Sequence, residues 1–203
     1  MLKNLARRLI STRANAPSGQ SSGISDRAID DLSVRLEVLN EDPYLYLVNE
    51  PLRLISVFDD LKYDRADMDL LSGPMRNWVL SKLTPLGFQQ TSGGVVTHRW
   101  YEIRMHIPKF RALGASPFDA TRDTPRSARD YYILTPTQTA CQFIQEFTTE
   151  AAVEAVKELV CKQPVNLLRI SDYLDKSDRH QAFKGAIGHL KYVQREAVQS
   201  EPL

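Results

Sequence analysis

Val95-Val96-Thr97-His98-Arg99-Trp100-Tyr101-Glu102-Ile103-Arg104-Met105-His106-Ile107 is the stretch whose reading decides the fold class. Tyr101, Ile103, Met105 and Ile107 alternate with Glu102, Arg104 and His106. A period of two puts apolar side chains on one face and polar ones on the other, as in an antiparallel strand with one solvated side. Leu86 to Thr91 is a second extended run, and Ser92-Gly93-Gly94 between the two supplies a turn. The pair reads as a β-hairpin ended by Pro108, with Met105 and Tyr101 pointing inward and Arg104 and His106 outward.

N-terminal to the hairpin the period is helical. Ile29, Leu32, Leu36 and Leu39 predict a helix from about Asp26 to Asn40, capped by Ser25 and broken at Asp42-Pro43. Tyr44 to Val48 reads as a short strand or an extended connector. Pro51 suits the first position of a helix from Leu52 to Leu61, with Leu54, Ile55 and Phe58 buried. A third helix is expected over Arg65 to Leu83, kinked or split at Gly73-Pro74.

C-terminal to the hairpin, residues 109 to 130 lack periodicity, and loops that long are usually functional or disordered. Tyr131 to Leu134 is expected to form a third strand. Thr135-Pro136-Thr137-Gln138 then combines an N-cap, a first-turn proline and a capping-box glutamine. Four helices follow: to about Phe147, Thr149 to Lys162, one around Leu167 to Leu174, and one from a Ser177 cap to about Gln199 that buries Phe183, Ile187, Leu190 and Val193.

The expected class is therefore α+β: helices, a β-hairpin plus a short third strand, then a C-terminal helical bundle. Helices followed by a hairpin resemble a winged-helix module in their order, without a diagnostic motif. Three parts are expected: a basic amphipathic extension and flexible linker over 1–25, a winged-helix-like region over 26–134, and a helical region over 135–203.

The 203 residues carry 26 basic and 25 acidic side chains, but unevenly. Lys3, Arg7, Arg8 and Arg13 precede the first acid, Asp26, so a +4 extension stands before a body of net −3. Leu2, Leu5, Leu9 and Ile10 make that extension amphipathic, and a Ser/Gly-rich linker follows it. It reads as a mitochondrial transit peptide, a partner-binding arm, or a surface helix of no function. Two cysteines, Cys141 and Cys161, make no disulfide framework, which favours a reducing compartment. The location expected is cytoplasmic, with the mitochondrial matrix as the alternative. No membrane span is expected, since no apolar run reaches about 18 residues.

Phosphate-loop, dinucleotide-binding, nucleophile-elbow, zinc-protease and paired Cys-x-x-Cys motifs are absent from the sequence. Cys141 and Cys161 read as buried structural thiols. On the long strand His98, Trp100, Glu102, Arg104 and His106 share a parity. Yet His98 and His106 would lie about 26 Å apart along it, too far for one metal. No metal or cofactor is expected.

Three sets of residues remain as candidates for binding. One is Arg104 and His106 on the polar strand face. Another is the loop cations Lys109, Arg111, Arg122 and Arg126 with Phe110 and Phe118 among them, an arrangement suited to single-stranded nucleic acid. The third lies on the last helix, where Lys184, Lys191 and Arg195 form a basic stripe and Gly185 and Gly188 invite close approach of another backbone. The function expected is a non-enzymatic protein-interaction subunit or adaptor, with a protein partner or a second copy of itself. A nucleic-acid-binding protein using the hairpin, the basic loop and the last helix is the alternative, and an enzyme with a non-obvious site the third reading.

Overall fold

The structure, a computed structural model, describes residues 31–59, 70–109 and 115–200. The expectations for the extension over 1–25, the start of the first helix, residues 65–69, Phe110 and Arg111 lie outside the described residues.

The Gly-Gly hairpin forms as expected. β3 (Phe88–Ser92) pairs antiparallel with β4 (Val95–His98), with Phe88 opposite His98 and a register shift between Gln90 and Ser92. The run from Val95 to Ile107 is not one strand, however. The chain folds back between His98 and Arg104, and β5 (Arg104–His106) returns antiparallel to β4, Val96 facing Met105. The alternation survived this misreading because the turn returns the chain with its apolar parity on the same face. Val96, Ile103, Met105 and Ile107 are all buried in one cluster, and Tyr101 packs partly against it.

The segment Leu54 to Val57, expected as part of a helix from Leu52 to Leu61, is instead strand β2. It pairs antiparallel with β1 (Leu45–Val48) and parallel with β6 (Tyr131–Leu134). All four residues of β2 and all four of β6 are buried. A strand covered on both faces shows a continuous apolar run rather than alternation, so period alone does not separate it from a short buried helix. β6 also pairs parallel with β5, which completes a six-stranded mixed sheet in the order β1-β2-β6-β5-β4-β3. The hairpin is thus the edge of a larger sheet, not a free-standing two-stranded wing.

Helices cover both faces. On one side lie α1 (residues 31–36), the 3-10 turn Glu37–Glu41 and α2 (Gly73–Leu83). Gly73-Pro74 opens α2 rather than kinking it: Ser72 Oγ accepts the Met75 N–H at 3.2 Å, and proline occupies the first turn where no amide partner is missed. Leu32, Leu36, Met75, Val79 and Leu83 pack on Leu47, Ile55, Ile133 and Met105. On the other face lie α3 (Pro136–Glu146), α4 (Thr149–Lys162), α5 (Leu167–Tyr173) and α6 (Asp178–Ser200). Their core joins Phe143, Val156, Leu159, Ile170, Phe183, Ile187 and Leu190 to Leu54, Tyr132 and Leu134 of the sheet. The capping box of α3 is present in both halves, Gln138 N to Thr135 Oγ1 and Thr135 N to Gln138 Oε1. Thr148, Asn166 and Ser177 cap the next three helices through their side chains.

One local expectation is corrected and another is met by no contact within the described residues. Cys141 is buried but Cys161 is exposed, because α4 buries Ala152, Val156, Leu159 and Val160 and the residue after Val160 is turned off that stripe. Gly185 and Gly188 are exposed, and a Cβ at either would meet nothing within 4 Å. Among the described residues no neighbouring backbone approaches them, so propensity decides the substitution within this chain. Gly188→Ala is expected to stabilise the protein by about 0.5–1 kcal/mol, seen as a small rise in thermal midpoint. A clear loss would mean that the glycine serves a contact made outside this chain.

Candidate functional site

Arg104 and His106 meet at Asp130, which precedes β6 at the N-terminal ends of the parallel strands. The Asp130 carboxylate is fully buried. It accepts the Arg104 N–H at 3.2 Å and the Ser127 N–H at 2.8 Å, lies 3.0 Å from His106 Nε2, and pairs with the Arg104 guanidinium at 3.1 Å. Burial alone would raise its pKa. The hydrogen bonds from Ser127, His106 and Arg104 overcome this and hold it down at about 2.

His106 was expected to face solvent and is buried. Of the polar parity of β5, Arg104 reaches solvent as expected, while His106 is covered because Asp130 and Tyr132 close over it. The parity is answered by a carboxylate, and the Tyr132 ring lies 6.3 Å away. Every group in this cluster braces β5, β6 and the Ser127–Asp130 turn together. The Ser127 side chain bonds the same carboxylate, so one buried acid acts as a strut between two strands and a turn.

Beside it a cleft of about 390 Å³ is lined by Leu52, Leu54, Thr121, Arg126, Tyr132 and Gln142 among others. Its polar groups are largely spent internally. Arg126 donates to the Leu52 carbonyl at 2.9 Å and lies 4.3 Å over the Tyr132 ring. The Tyr132 hydroxyl donates to the Thr124 carbonyl at 2.7 Å, and burial raises its pKa. Thr121 Oγ1 reaches Gln142 Oε1 at 3.4 Å. These bonds fasten the segment before β6 onto the sheet.

That segment is accordingly better packed than its sequence suggests. Ser116 caps a 3-10 turn, Pro117–Asp119, and Phe118 is buried against the His180 ring, 5.2 Å between centroids. Phe118 is therefore no platform for a base, and Arg122 pairs with Asp119. Lys109 is exposed where β5 ends. Lys184, Gly188, Lys191 and Arg195 are exposed on α6, in the helical layer and away from the strut. Of the candidates among the described residues, the structure joins Arg104 with His106 through Asp130 and brings Arg126 near them through Tyr132.

Among the large apolar side chains of the described residues Trp100 is the most exposed, at 77%. It stands in the turn between β4 and β5, with the Arg99 guanidinium 5.6 Å over its ring. The turn is tightly held. The backbone N–H groups of Trp100 and Tyr101 both donate to His98 Nδ1, at 3.1 and 3.2 Å. The His98 N–H donates to the Ile103 carbonyl and the Arg99 N–H to the Gly87 carbonyl. Sequence reasoning placed Trp100 on a strand face beside Glu102 and missed both the turn and Asp130. An exposed tryptophan leaves no periodic signal, and the carboxylate's partners lie 3, 24 and 26 residues away.

Among the described residues no group of three or more His, Cys, Asp or Glu side chains is placed to hold a metal ion, and no helix is long and apolar enough to cross a membrane. Comparison with protein-family models, curated proteins and solved structures finds no match to this chain.

Proposed function

We propose that this protein is a non-enzymatic interaction subunit that docks a protein partner through the Arg99–Trp100 turn. The observation that carries the reading is Trp100 itself, a large apolar side chain held in solvent by a turn whose backbone is bonded at four points. Tryptophan and arginine dominate the energetics of protein interfaces, and a preformed turn loses little entropy on binding. Unbridged cysteines fit a reducing compartment.

Trp100→Ala is expected to leave stability within about 0.5 kcal/mol of wild type, since the ring packs on nothing that folding needs. The same change should weaken capture of a specific partner from the native source by about 30-fold or more, the effect of losing a hot-spot residue worth about 2 kcal/mol. Equal capture by both proteins would overturn the reading.

A second reading rests on the Arg99–Trp100 pair, since a tryptophan face beside a guanidinium also suits a nucleobase. Quenching of Trp100 emission by a single-stranded oligonucleotide, weakening linearly in log–log salt dependence, would favour it over the protein partner.

A further inference from the structure

His98 closes β4 with both ring nitrogens committed. Nε2 lies 3.0 Å from the Leu86 carbonyl oxygen, which only accepts, so the proton resides on Nε2. Nδ1 receives two backbone N–H groups, those of Trp100 and Tyr101, and must present a lone pair. The network therefore requires a neutral imidazole in one tautomer. A proton on Nδ1 would place three donors at one point and break both bonds.

The ring has no room to evade this. It stands edge-on to Phe88 at 4.8 Å and stacks on Tyr101 at 4.6 Å. Gly87, at φ +94°, passes so close that a Cβ there would lie 2.7 Å from Nε2. Charged groups nearby are Arg35 on α1, which opposes protonation and is itself paired with Asp31, and Arg99 and Glu102 in the turn. None bonds the ring. His106 differs in kind: its Nε2 meets the Asp130 carboxylate at 3.0 Å.

We infer that His98 is a proton-operated latch on the Arg99–Trp100 turn: the neutral ring holds Trp100 in its docking position, and protonation releases it. The inference rests on the reading of Trp100 as the docking residue. Burial lowers the pKa of His98 below its ordinary 6.5. The released turn then takes up the proton more readily than the closed one. Closure is at full strength above about pH 6.5 and weakens as the pH falls through the ring's own lowered value.

The test needs no partner. Nitrogen-15 histidine spectra follow the His98 tautomer and its protonation, while hydrogen exchange, corrected for intrinsic rates, follows single amides. On acidification from pH 7.5 to 4.5, His98 Nδ1 should protonate, and the protection of the Trp100 and Tyr101 amides should fall about tenfold or more in step. Ile133, in the central strand β6, should keep its protection. In His98→Gln, whose amide oxygen accepts N–H groups but does not titrate, the pH dependence at Trp100 should disappear. Three results would overturn the latch: protonation with protection unchanged, no protonation down to pH 4.5, or simultaneous loss at Ile133, which is unfolding and not release. A working latch beside a Trp100→Ala protein that still captures its partner would sink the docking reading alone.

Discussion

Asp130→Ala is expected to cost about 3–5 kcal/mol, a large share of the 5–15 kcal/mol that holds a typical domain folded. The buried carboxylate accepts the N–H groups of Arg104 and Ser127 and pairs with buried His106 and with the half-exposed Arg104 guanidinium. Removing it leaves the buried His106 ring without its carboxylate partner and unties the Ser127 and Arg104 amides from the start of β6. The effect has a defined pH window. The folded carboxylate is held at about 2 against an ordinary 3.8. Its ionised form therefore stabilises the fold fully above about pH 3.8, and this contribution drains away as the pH falls from there through about 2. Urea midpoints for wild type and Asp130→Asn at pH 7 and across pH 2–5 check both parts. The asparagine variant should be the weaker protein at neutral pH and should lose this component of acid sensitivity. A cost under about 1 kcal/mol for Asp130→Ala at pH 7 would show that the strut carries no weight.

Phe183→Ala is expected to cost about 3–5 kcal/mol, the range for a fully buried aromatic ring whose cavity relaxes only in part. Phe183 is wholly inaccessible to solvent and, with Ile187 and Leu190, forms the stripe by which α6 joins the core it shares with α3, α4 and α5. On the opposite side of the same helix Gly188→Ala is expected to move stability the other way. The contrast separates packing from propensity within one element. Denaturant midpoints measured on the two variants give the comparison, and a small loss at Phe183 would mean that α6 is peripheral to the fold.

Local signals in the sequence translated directly into local structure. Thr135-Pro136-Thr137-Gln138 specifies a capped helix start because the bonds it makes lie within four residues, and it is built as read. Ser92-Gly93-Gly94 turns the hairpin for the same reason. The i, i+4, i+7 spacing of Phe183, Ile187 and Leu190 found the buried side of α6. Where period-two alternation met a surface exposed on one side only it also worked, as at Met105 and its buried neighbours.

What failed depended on neighbours distant in sequence. Leu54-Ile55-Ser56-Val57 became a strand because β1 and β6 flank it and helices cover both its faces, facts that four residues do not contain. Parity points His106 outward with Arg104, yet Asp130, 24 residues on, and the Tyr132 ring close over it. Of the site, Arg104, His106 and Arg126 were visible as charged residues, but their use as braces was not. Trp100 was visible as a residue and not as an exposed one.

The division follows the range of the interactions. The sequence by itself determined the α+β class, the helix caps, the hairpin turn and the apolar stripes, since each is settled by contacts a few residues apart. Only the tertiary structure decided which strands sit in the middle of the sheet, which polar side chains are buried against a partner, and that one histidine closes the turn carrying an exposed tryptophan. Those outcomes come from desolvation and hydrogen-bond satisfaction among residues that the chain brings together only once it is folded.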